Sequence, residues 1–355
     1  MSDQNTKVYT PLPPPPTTLQ SDPRETLTET ELGQYDEVLV HFTKDEYKLP
    51  GQDPAMELEE AEKFWLSREC LLRYLRASKW KTDAAIQRLE QTLKWRREFG
   101  LYDRIVTTSR VEPEAVTGKE VLFGYDMENR PAFYMFPSRQ NTTEAEGQIQ
   151  FVVWMLERCI DLMSPGVETL DLLINYADKA KGPTMSTSMA VLNILQDHYP
   201  ERLGLALVIN LPFLLNAFYK CISPFIDPIT RKKLCFNVDI VKDKTFAPEQ
   251  AMSKWWGGSQ DFEYDHDKYW PALVQLAESR RNSWMDKWRE LGGKVGIKEW
   301  DYKGAIAVPG NDVAAAVVEE KVVTAAVMEQ GVTAFAQEKE ITTVVEAKDT
   351  TESTA

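Results

Sequence analysis

The chain has 355 residues, of which 43% are hydrophobic and 10% aromatic, so it can bury the core of one large domain or two medium domains. Its formal net charge of −14 comes from the two ends, because residues 1–60 hold 13 acidic and 4 basic residues and residues 309–355 hold 9 and 3. The region between them is close to neutral and lacks the clustered basic face of a nucleic-acid-binding protein, which excludes nucleic acid as a partner.

Cysteine and histidine usage indicates neither a disulfide framework nor a metal site, and no cofactor is expected. No CxxC pair and no metal-ligand spacing such as HExxH occurs among Cys70, Cys159, Cys221, Cys235, His41, His198 and His266. The first residues lack the apolar segment of a secretory signal, and no run reaches the roughly 18 apolar residues that span a bilayer. We therefore expect a cytoplasmic protein whose membrane contact is peripheral.

Residues 1–55 form a proline-rich, acidic arm. The prolines of residues 11–16 favour an extended segment without a core. An acidic helix is predicted further along the arm, over residues 28–42, and its apolar side consists of Leu32, Tyr35, Leu39 and Phe42.

A helical hairpin follows in a predicted subdomain of residues 56–115. Apolar periodicity indicates one helix from residue 57 to about 77 and a second from 82 to 99, which Gly100 ends. The many arginine and lysine side chains between the apolar positions are expected to form a solvated outer face.

Residues 116–305 alternate short apolar strands with helices, which is typical of an α/β fold whose sheet is buried on at least one face. The predicted strands cover residues 121–125, 132–136, 170–174, 205–209 and 233–237, and the first two form a β-hairpin. The predicted helices cover residues 144–163, 186–198 and 266–291. Residues 306–355 are expected to be an acidic and mostly disordered tail.

One segment between the last two strands is apolar around almost its whole circumference. Pro212 opens a helix predicted over residues 213–222, on which the polar residues form a single thin stripe. Such a helix is either buried in the core, or it packs on the protein with one face and meets lipid with another. Its apolar positions include Phe213, Leu214, Leu215, Phe218 and Ile222.

Motifs of catalysis are missing from the chain, which has no GxSxG, GxxxxGK[ST] or HExxH sequence, and we expect no enzymatic activity. Two charged residues lie beside apolar strands, Glu201 before one and Lys233 at the start of another. Each is compatible with a structural salt bridge or a solvent-facing strand end. Together they suit a polyol, because hydroxyl groups donate hydrogen bonds to a carboxylate and accept them from an ammonium group.

Several separated motifs resemble the CRAL-TRIO lipid-binding family. They are LLRYLRASKW at 71–80, KWR at 94–96, YPERLG at 199–204, NLP at 210–212, PFIDPIT at 224–230 and the glycine pair at 257–258. The resemblance covers residues 57–291 and is closest to the fungal phosphatidylinositol transfer proteins. It implies an N-terminal helical subdomain, then a lipid-binding lobe in which a mixed β-sheet is the floor and residues 213–222 are a gating helix.

The resemblance also implies ligand-contacting residues. The inositol headgroup is expected to contact Glu201, Thr230 and Lys233, with a further basic contact from Lys79. Ser78 stands where well-known members often have arginine, which leaves the phosphate contacts less defined. The positions that surround choline in members carrying phosphatidylcholine correspond here to Leu122, Phe133, Val167 and Thr169. Because only the last keeps a hydroxyl group, the second ligand is expected to be more apolar, such as a sterol.

The implied function is that of a non-enzymatic protein that transfers phosphatidylinositol between membranes or presents it, for example to a phosphatidylinositol kinase. A regulatory scaffold that senses a bound lipid and signals through its acidic ends, without moving lipid, is the alternative.

Overall fold

The computed structural model describes residues 7–16, 19, 21–51, 56–102, 104–178, 184–212 and 231–304. The predicted gating helix at 213–222, the headgroup residue Thr230 and the acidic tail at 306–355 lie outside the described residues. The described residues all belong to one unit, Met1–Ala305.

Among the described residues, five strands form one mixed sheet in the order β1-β2-β3-β4-β5. They are β1 (Glu120–Tyr125), β2 (Pro131–Met135), β3 (Leu170–Asn175), β4 (Leu203–Ile209) and β5 (Leu234–Phe236). β1 pairs antiparallel with β2, as the predicted hairpin requires, and the other neighbours are parallel. The predicted α/β fold with a mixed sheet is confirmed.

The helices precede, connect and follow these strands. They are α1 (Glu29–Thr43), α2 (Glu60–Trp65), α3 (Arg68–Ala77), α4 (Thr82–Phe99), α5 (Thr108–Ala115), α6 (Ala145–Asp161), α7 (Met185–His198), α8 (Ser253–Trp256), α9 (His266–Glu290) and α10 (Glu299–Lys303). The single helix predicted from residue 57 to 77 is wrong, because Ser67 Oγ accepts a hydrogen bond of 3.1 Å from the Cys70 amide and so begins a new helix. α5 was not predicted.

Buried apolar side chains gather in two places. One cluster surrounds the sheet and includes residues of α6 and α9. The other joins α1, α3 and α4. From α1 it takes Tyr35, Val38 and Phe42, whereas Leu32 is 48% exposed, contrary to its predicted place on the apolar side.

Arginines of the helical hairpin are buried in ion pairs, so the prediction of a solvated basic face is wrong for them. Arg97 donates to Glu62 at 2.7 Å, and Arg96 forms a bidentate pair with Glu157 at 2.8 and 3.0 Å. Burying a guanidinium group requires such a partner, because the charge loses its hydration. The partners lie 35 and 61 residues away and cannot be identified from helical spacing.

A buried carboxylate connects the helical hairpin to the sheet. Glu168 lies just before β3 and is 8% exposed. Its oxygens accept from Arg73 at 3.2 Å and Arg76 at 2.7 Å on α3, and from Arg24 of the arm at 2.8 Å. Burial alone would raise the pKa of Glu168, but the three guanidinium groups outweigh it and lower that pKa.

The N-terminal arm lies against the rest of the chain, so the prediction of a segment without a core is wrong for residues 7–16. Val8 bridges to Phe262 through backbone hydrogen bonds to the neighbouring residues Asp261 and Glu263, each of 3.0 Å. Pro11 and Pro14 are buried. Prolines cannot donate in a ladder, but their rings bury apolar surface where an extended segment crosses a core.

We predict that Glu168→Gln lowers the free energy of unfolding by about 3–5 kcal/mol, because it leaves three buried or half-buried guanidinium groups without their common counter-charge. Urea unfolding of the full chain followed by circular dichroism measures this. Glu60→Gln is the matched control, since Glu60 pairs with Arg289 on the exposed surface and should contribute little. Equal effects of both substitutions would contradict the central role of Glu168.

Candidate functional site

One face of the sheet, called here the open face, carries half-buried apolar side chains beside fully buried ones. The strand register places side by side on it Leu122, Phe133, Leu172, Ala206 and Leu234, and in the next row Met135, Ile174, Val208 and Phe236. Leu172 and Ile174 belong to β3, which has a strand on each side, yet both are half-buried. Apolar side chains of a central strand are normally fully buried, so the open face borders space that the described residues do not fill.

The opposite face is packed more completely over its first four strands, although Leu205 and Cys235 on it are half-buried. Val121, Tyr134, Leu173 and Leu207 lie side by side there and are at most 2% exposed. Among the described residues, the central strand β3 is therefore less completely buried on the open face than on the opposite one.

The crossover helix α7, between β3 and β4, is also incompletely buried. Its apolar residues Val191, Ile194 and Leu195 are half-buried, and Met189 and Leu192 are 46% and 44% exposed. A crossover helix normally buries one apolar side against its sheet. The loose burial of α7 agrees with that of the open face.

The predicted headgroup residues Glu201 and Lys233 both lie at one edge of the sheet, where β2 to β5 begin, called here the amino edge. Lys233 Nζ donates a hydrogen bond of 2.7 Å to the carbonyl oxygen of Leu203, two residues after Glu201. Lys233 is half-buried, whereas Glu201 is exposed. Thr169 precedes β3 at the same edge, because Leu170 pairs with Leu203.

A clamp from the helical hairpin holds the turn that carries Glu201. The His198 ring stacks on Trp95 with centroids 4.2 Å apart, and its Nδ1 is 3.1 Å from Thr92 Oγ1. Tyr74 Oη donates to the His198 carbonyl oxygen at 3.0 Å. Sequence reasoning missed this clamp, since His198 lies more than 100 residues from the other members and forms no motif with them. Glu201 itself has a left-handed backbone with φ 58°.

Lys79 lies in the turn after α3, where it is exposed and has φ 54°. α3 also carries Arg73 and Arg76, which bind Glu168, the neighbour of Thr169. The end of α3 is thus tied to the amino edge through Glu168, although no direct contact joins Lys79 to Glu201 or Lys233 among the hydrogen bonds and ion pairs of the described residues.

The predicted second-ligand residues fall in two places. Leu122 and Phe133 pair across β1 and β2 on the open face, and each is 1% exposed. Val167 and Thr169 are half-buried in the loop before β3. Two of the four residues therefore lie near the amino edge, and the other two lie on the antiparallel pair of strands β1 and β2.

Within the described ranges, no three His, Cys, Asp or Glu side chains gather as a metal ion would require. His41, His198 and His266 have separate partners, which are Glu90, Thr92 and Glu112. In the part of the chain that the structure describes, no helix is long and apolar enough to cross a membrane.

Comparison with family models supports the resemblance seen in the motifs. The CRAL/TRIO domain matches residues 115–258, and the CRAL/TRIO N-terminal domain matches residues 34–91. The first match includes the sheet, Glu201 and Lys233, and the second includes Lys79.

Two yeast proteins are similar over most of the chain. The CRAL-TRIO domain-containing protein C23B6.04c of Schizosaccharomyces pombe is 47% identical over 282 residues, which are 78% of this chain and only 28% of that protein. The phosphatidylinositol transfer protein PDR17 of Saccharomyces cerevisiae is 38% identical over 301 residues, 79% of this chain and 85% of that protein. Among solved structures, the crystal structure of Sfh5 matches 69% of this chain and 92% of its own, with 18% identity and a TM-score of 0.47.

We predict that His198→Gln lowers stability at neutral pH and that its deficit shrinks as the pH falls from about 6.5 towards 4. Burial is the main cause that lowers the pKa of His198 to about 4. Between the ordinary histidine pKa of about 6.5 and this value, the unfolded state of the wild type binds a proton that the native state does not, so the wild type loses stability. The variant lacks that loss. Urea unfolding at a series of pH values measures both proteins, and parallel stability curves would contradict a clamp held by neutral histidine.

Proposed function

We propose that this chain, which belongs to the CRAL/TRIO family, binds one phosphatidylinositol molecule above the open face and transfers it between membranes or presents it there. One relative supports the ligand class by its name, the phosphatidylinositol transfer protein PDR17. Because the chain spans about a quarter of the S. pombe relative, further activities of that protein are not carried over.

The observation that carries the proposal is the half-burial of Leu172 and Ile174 on the central strand β3. Acyl chains laid on this face would remove its apolar surface from water along with their own. Each buried CH₂ group contributes about 0.8 kcal/mol, so two acyl chains supply enough free energy to keep a monomeric lipid bound. In a protein that binds no ligand, other side chains would be expected to cover Leu172 and Ile174 completely.

The headgroup is proposed to lie at the amino edge, where Glu201, Thr230 and Lys233 contact the inositol hydroxyl groups and Lys79 reaches its phosphate. An ammonium group has three protons, of which Lys233 commits one to the Leu203 carbonyl. Its other two protons have no hydrogen-bond acceptor among the described residues and would donate to hydroxyl oxygens. The exposed carboxylate of Glu201 accepts from the hydroxyl protons, so a polyol satisfies both groups.

The gating helix is proposed at residues 213–222, which would exchange contacts with the lipid for contacts with a bilayer. Phe213, Leu214, Leu215, Phe218 and Ile222 supply its apolar surface. An apolar surface can contact either the bound lipid or the interior of a bilayer, as a segment that opens at membranes would require.

The second ligand is proposed to be a sterol rather than phosphatidylcholine. A quaternary ammonium group binds well to hydroxyl groups and to the rings of tyrosine or tryptophan. None of these is supplied by Leu122, Phe133 or Val167. The one hydroxyl group among the four positions is that of Thr169. The burial of Leu122 and Phe133 suits a rigid apolar molecule.

We further propose a non-enzymatic protein of the cytoplasm that meets membranes peripherally, needs no cofactor beyond its lipid, and supplies phosphatidylinositol to kinases. The boundaries 1–55, 56–115, 116–305 and 306–355 remain our proposed division into arm, helical subdomain, lipid-binding lobe and tail.

We predict that Glu201→Gln combined with Lys233→Met lowers phosphatidylinositol binding roughly a hundredfold, since two hydrogen bonds to charged groups are each worth about 1.5 kcal/mol or more. Mass spectrometry of the lipids that co-purify with the full chain measures the loss, and thermal unfolding checks the fold. Glu290→Gln with Lys287→Met, an exposed pair on α9, is the matched control. Undiminished phosphatidylinositol in the first variant would refute the assignment, and phosphatidylcholine as the main lipid would refute the sterol.

We predict that Phe218→Asp abolishes transfer between vesicles without removing phosphatidylinositol from the headgroup site, because a carboxylate on the gate resists entry into a bilayer. A fluorescence transfer assay between donor and acceptor vesicles is the measurement. Met127→Asp, at a position that is 64% exposed, is the control for an added surface charge. Full transfer by the Phe218 variant would rule out a gate at this residue.

A further inference from the structure

Two consecutive tryptophans occupy opposite environments in the turn α8. Trp256 is 3% exposed and packs edge-on against Tyr134, with ring centroids 5.6 Å apart. Trp255 is 47% exposed. Burial of an indole is among the larger apolar contributions that one side chain makes to folding, and Trp255 gives up about half of it.

The backbone of Trp255 is strained. Its φ of 75° and ψ of −24° lie in the left-handed region, which bulky residues rarely adopt and which glycine and asparagine tolerate well. Stability alone would therefore favour a small residue at this position. Strained residues persist where the surrounding structure fixes them and where their side chains have a task.

The surrounding turn fixes this conformation. Ser253 N donates to Gln260 O at 2.8 Å, and Gly258 N donates to Met252 O at 3.0 Å. A Cβ atom at Gly258 would lie 1.9 Å from the Ala251 carbonyl oxygen, so the chain can pass there only as glycine. With Trp256 anchored on Tyr134, the path of the turn leaves the indole of Trp255 directed away from the core.

We propose that Trp255 and Lys254 form a membrane contact, in which the indole enters the headgroup region of a bilayer and the ammonium group meets an anionic lipid. Tryptophan is enriched at membrane interfaces because its ring is apolar and its N–H is polar, and lysine extends from the same depth to the phosphates. Lys254 Nζ lies 6.0 Å from the Trp255 ring centroid, and Lys254 forms no ion pair with another described residue. An anionic lipid surface supplies the missing charge.

The contact lies at the carboxyl edge of the sheet, where β2 to β5 end. Tyr134 is next to last in β2, and Gly257 lies beside Asp239, three residues after β5. Pro212 follows β4 at the same edge. A membrane touched by Trp255 is therefore also close to the point where the chain leaves β4.

This inference rests on the proposed function, because a transfer protein must touch each membrane briefly and then release it. A single half-exposed indole with one cation gives weak, reversible binding. A large apolar patch would hold the protein on the first membrane it met.

The test compares the wild type with Trp255→Asn in the full chain. The measurement is the fraction of protein that sediments together with phosphatidylcholine vesicles containing a minor fraction of phosphatidylinositol. We expect vesicle binding to fall roughly fivefold or more with the loss of the indole area. We expect the melting temperature to rise, because asparagine relieves the left-handed strain. Met127→Asn, another exposed apolar position, should leave vesicle binding unchanged.

Lys254→Gln separates the charge from the indole. It should weaken binding to vesicles containing phosphatidylinositol and leave binding to pure phosphatidylcholine vesicles unchanged. Unchanged vesicle binding by Trp255→Asn, or a lower melting temperature without a loss of binding, would overturn the membrane contact. The amount of bound phosphatidylinositol distinguishes failure of the membrane contact from failure of the proposed function. Wild-type protein without phosphatidylinositol would overturn the proposed function. Both variants should retain the wild-type amount of the lipid.

Discussion

The fold depends on a carboxylate that has been taken out of water. Burial of Glu168 costs free energy and would raise its pKa, but Arg73, Arg76 and Arg24 surround it and lower that pKa. These arginines come from the arm and from α3, so the carboxylate joins segments that are far apart in sequence just before the chain enters β3. A mismatch at any of these positions would leave a buried charge unpaired, which makes the relative placement of the segments unusually specific.

This specificity leaves one side of the sheet free to be incomplete. The amino edge is fixed by charge and by the clamp of Tyr74, Thr92 and His198, and the face opposite the open face buries Val121, Tyr134, Leu173 and Leu207. The open face then need not contribute its full burial in the absence of ligand. Half-buried Leu172 and Ile174 are costly in a protein without a cargo and useful in one that binds lipid.

Sequence periodicity predicted the sheet and most helices because those elements follow local rules of spacing, capping and turn chemistry. It failed where the deciding partner is distant. Arg96 and Arg97 have the spacing of solvated helix residues, but each is buried and paired with a distant carboxylate, Glu157 or Glu62. The arm has the composition of an extended tail, but it lies against distant residues such as Phe262 and Ser164.

In the proposed site, too, the residues with a local sequence signal could be predicted and those that depend on distant partners could not. Glu201 and Lys233 could be selected from the sequence because a charge beside an apolar strand is conspicuous, and the motifs then gave them a role. The clamp behind Glu201 could not, since Trp95 and His198 are far apart in the sequence and stack without any shared pattern. Nor does the sequence reveal that Trp255 is strained, because φ is set by the fixed path of the chain between Met252 and Gln260.

The placement of Lys233 changes how release of the lipid is best understood. Because Glu201 and Lys233 flank the proposed gate in sequence, opening the gate and losing the headgroup could have been a single motion. However, the backbone of Lys233 accepts a hydrogen bond of 2.8 Å from Ala206, and its side chain donates to Leu203, so Lys233 belongs to the framework of β4 and β5. If the proposed gate and headgroup site are as assigned, Lys233 would keep its place when the gate opens. Acyl chains would then leave for the bilayer while Lys233 still holds the inositol ring, an order of events that would favour presentation of the headgroup at the membrane.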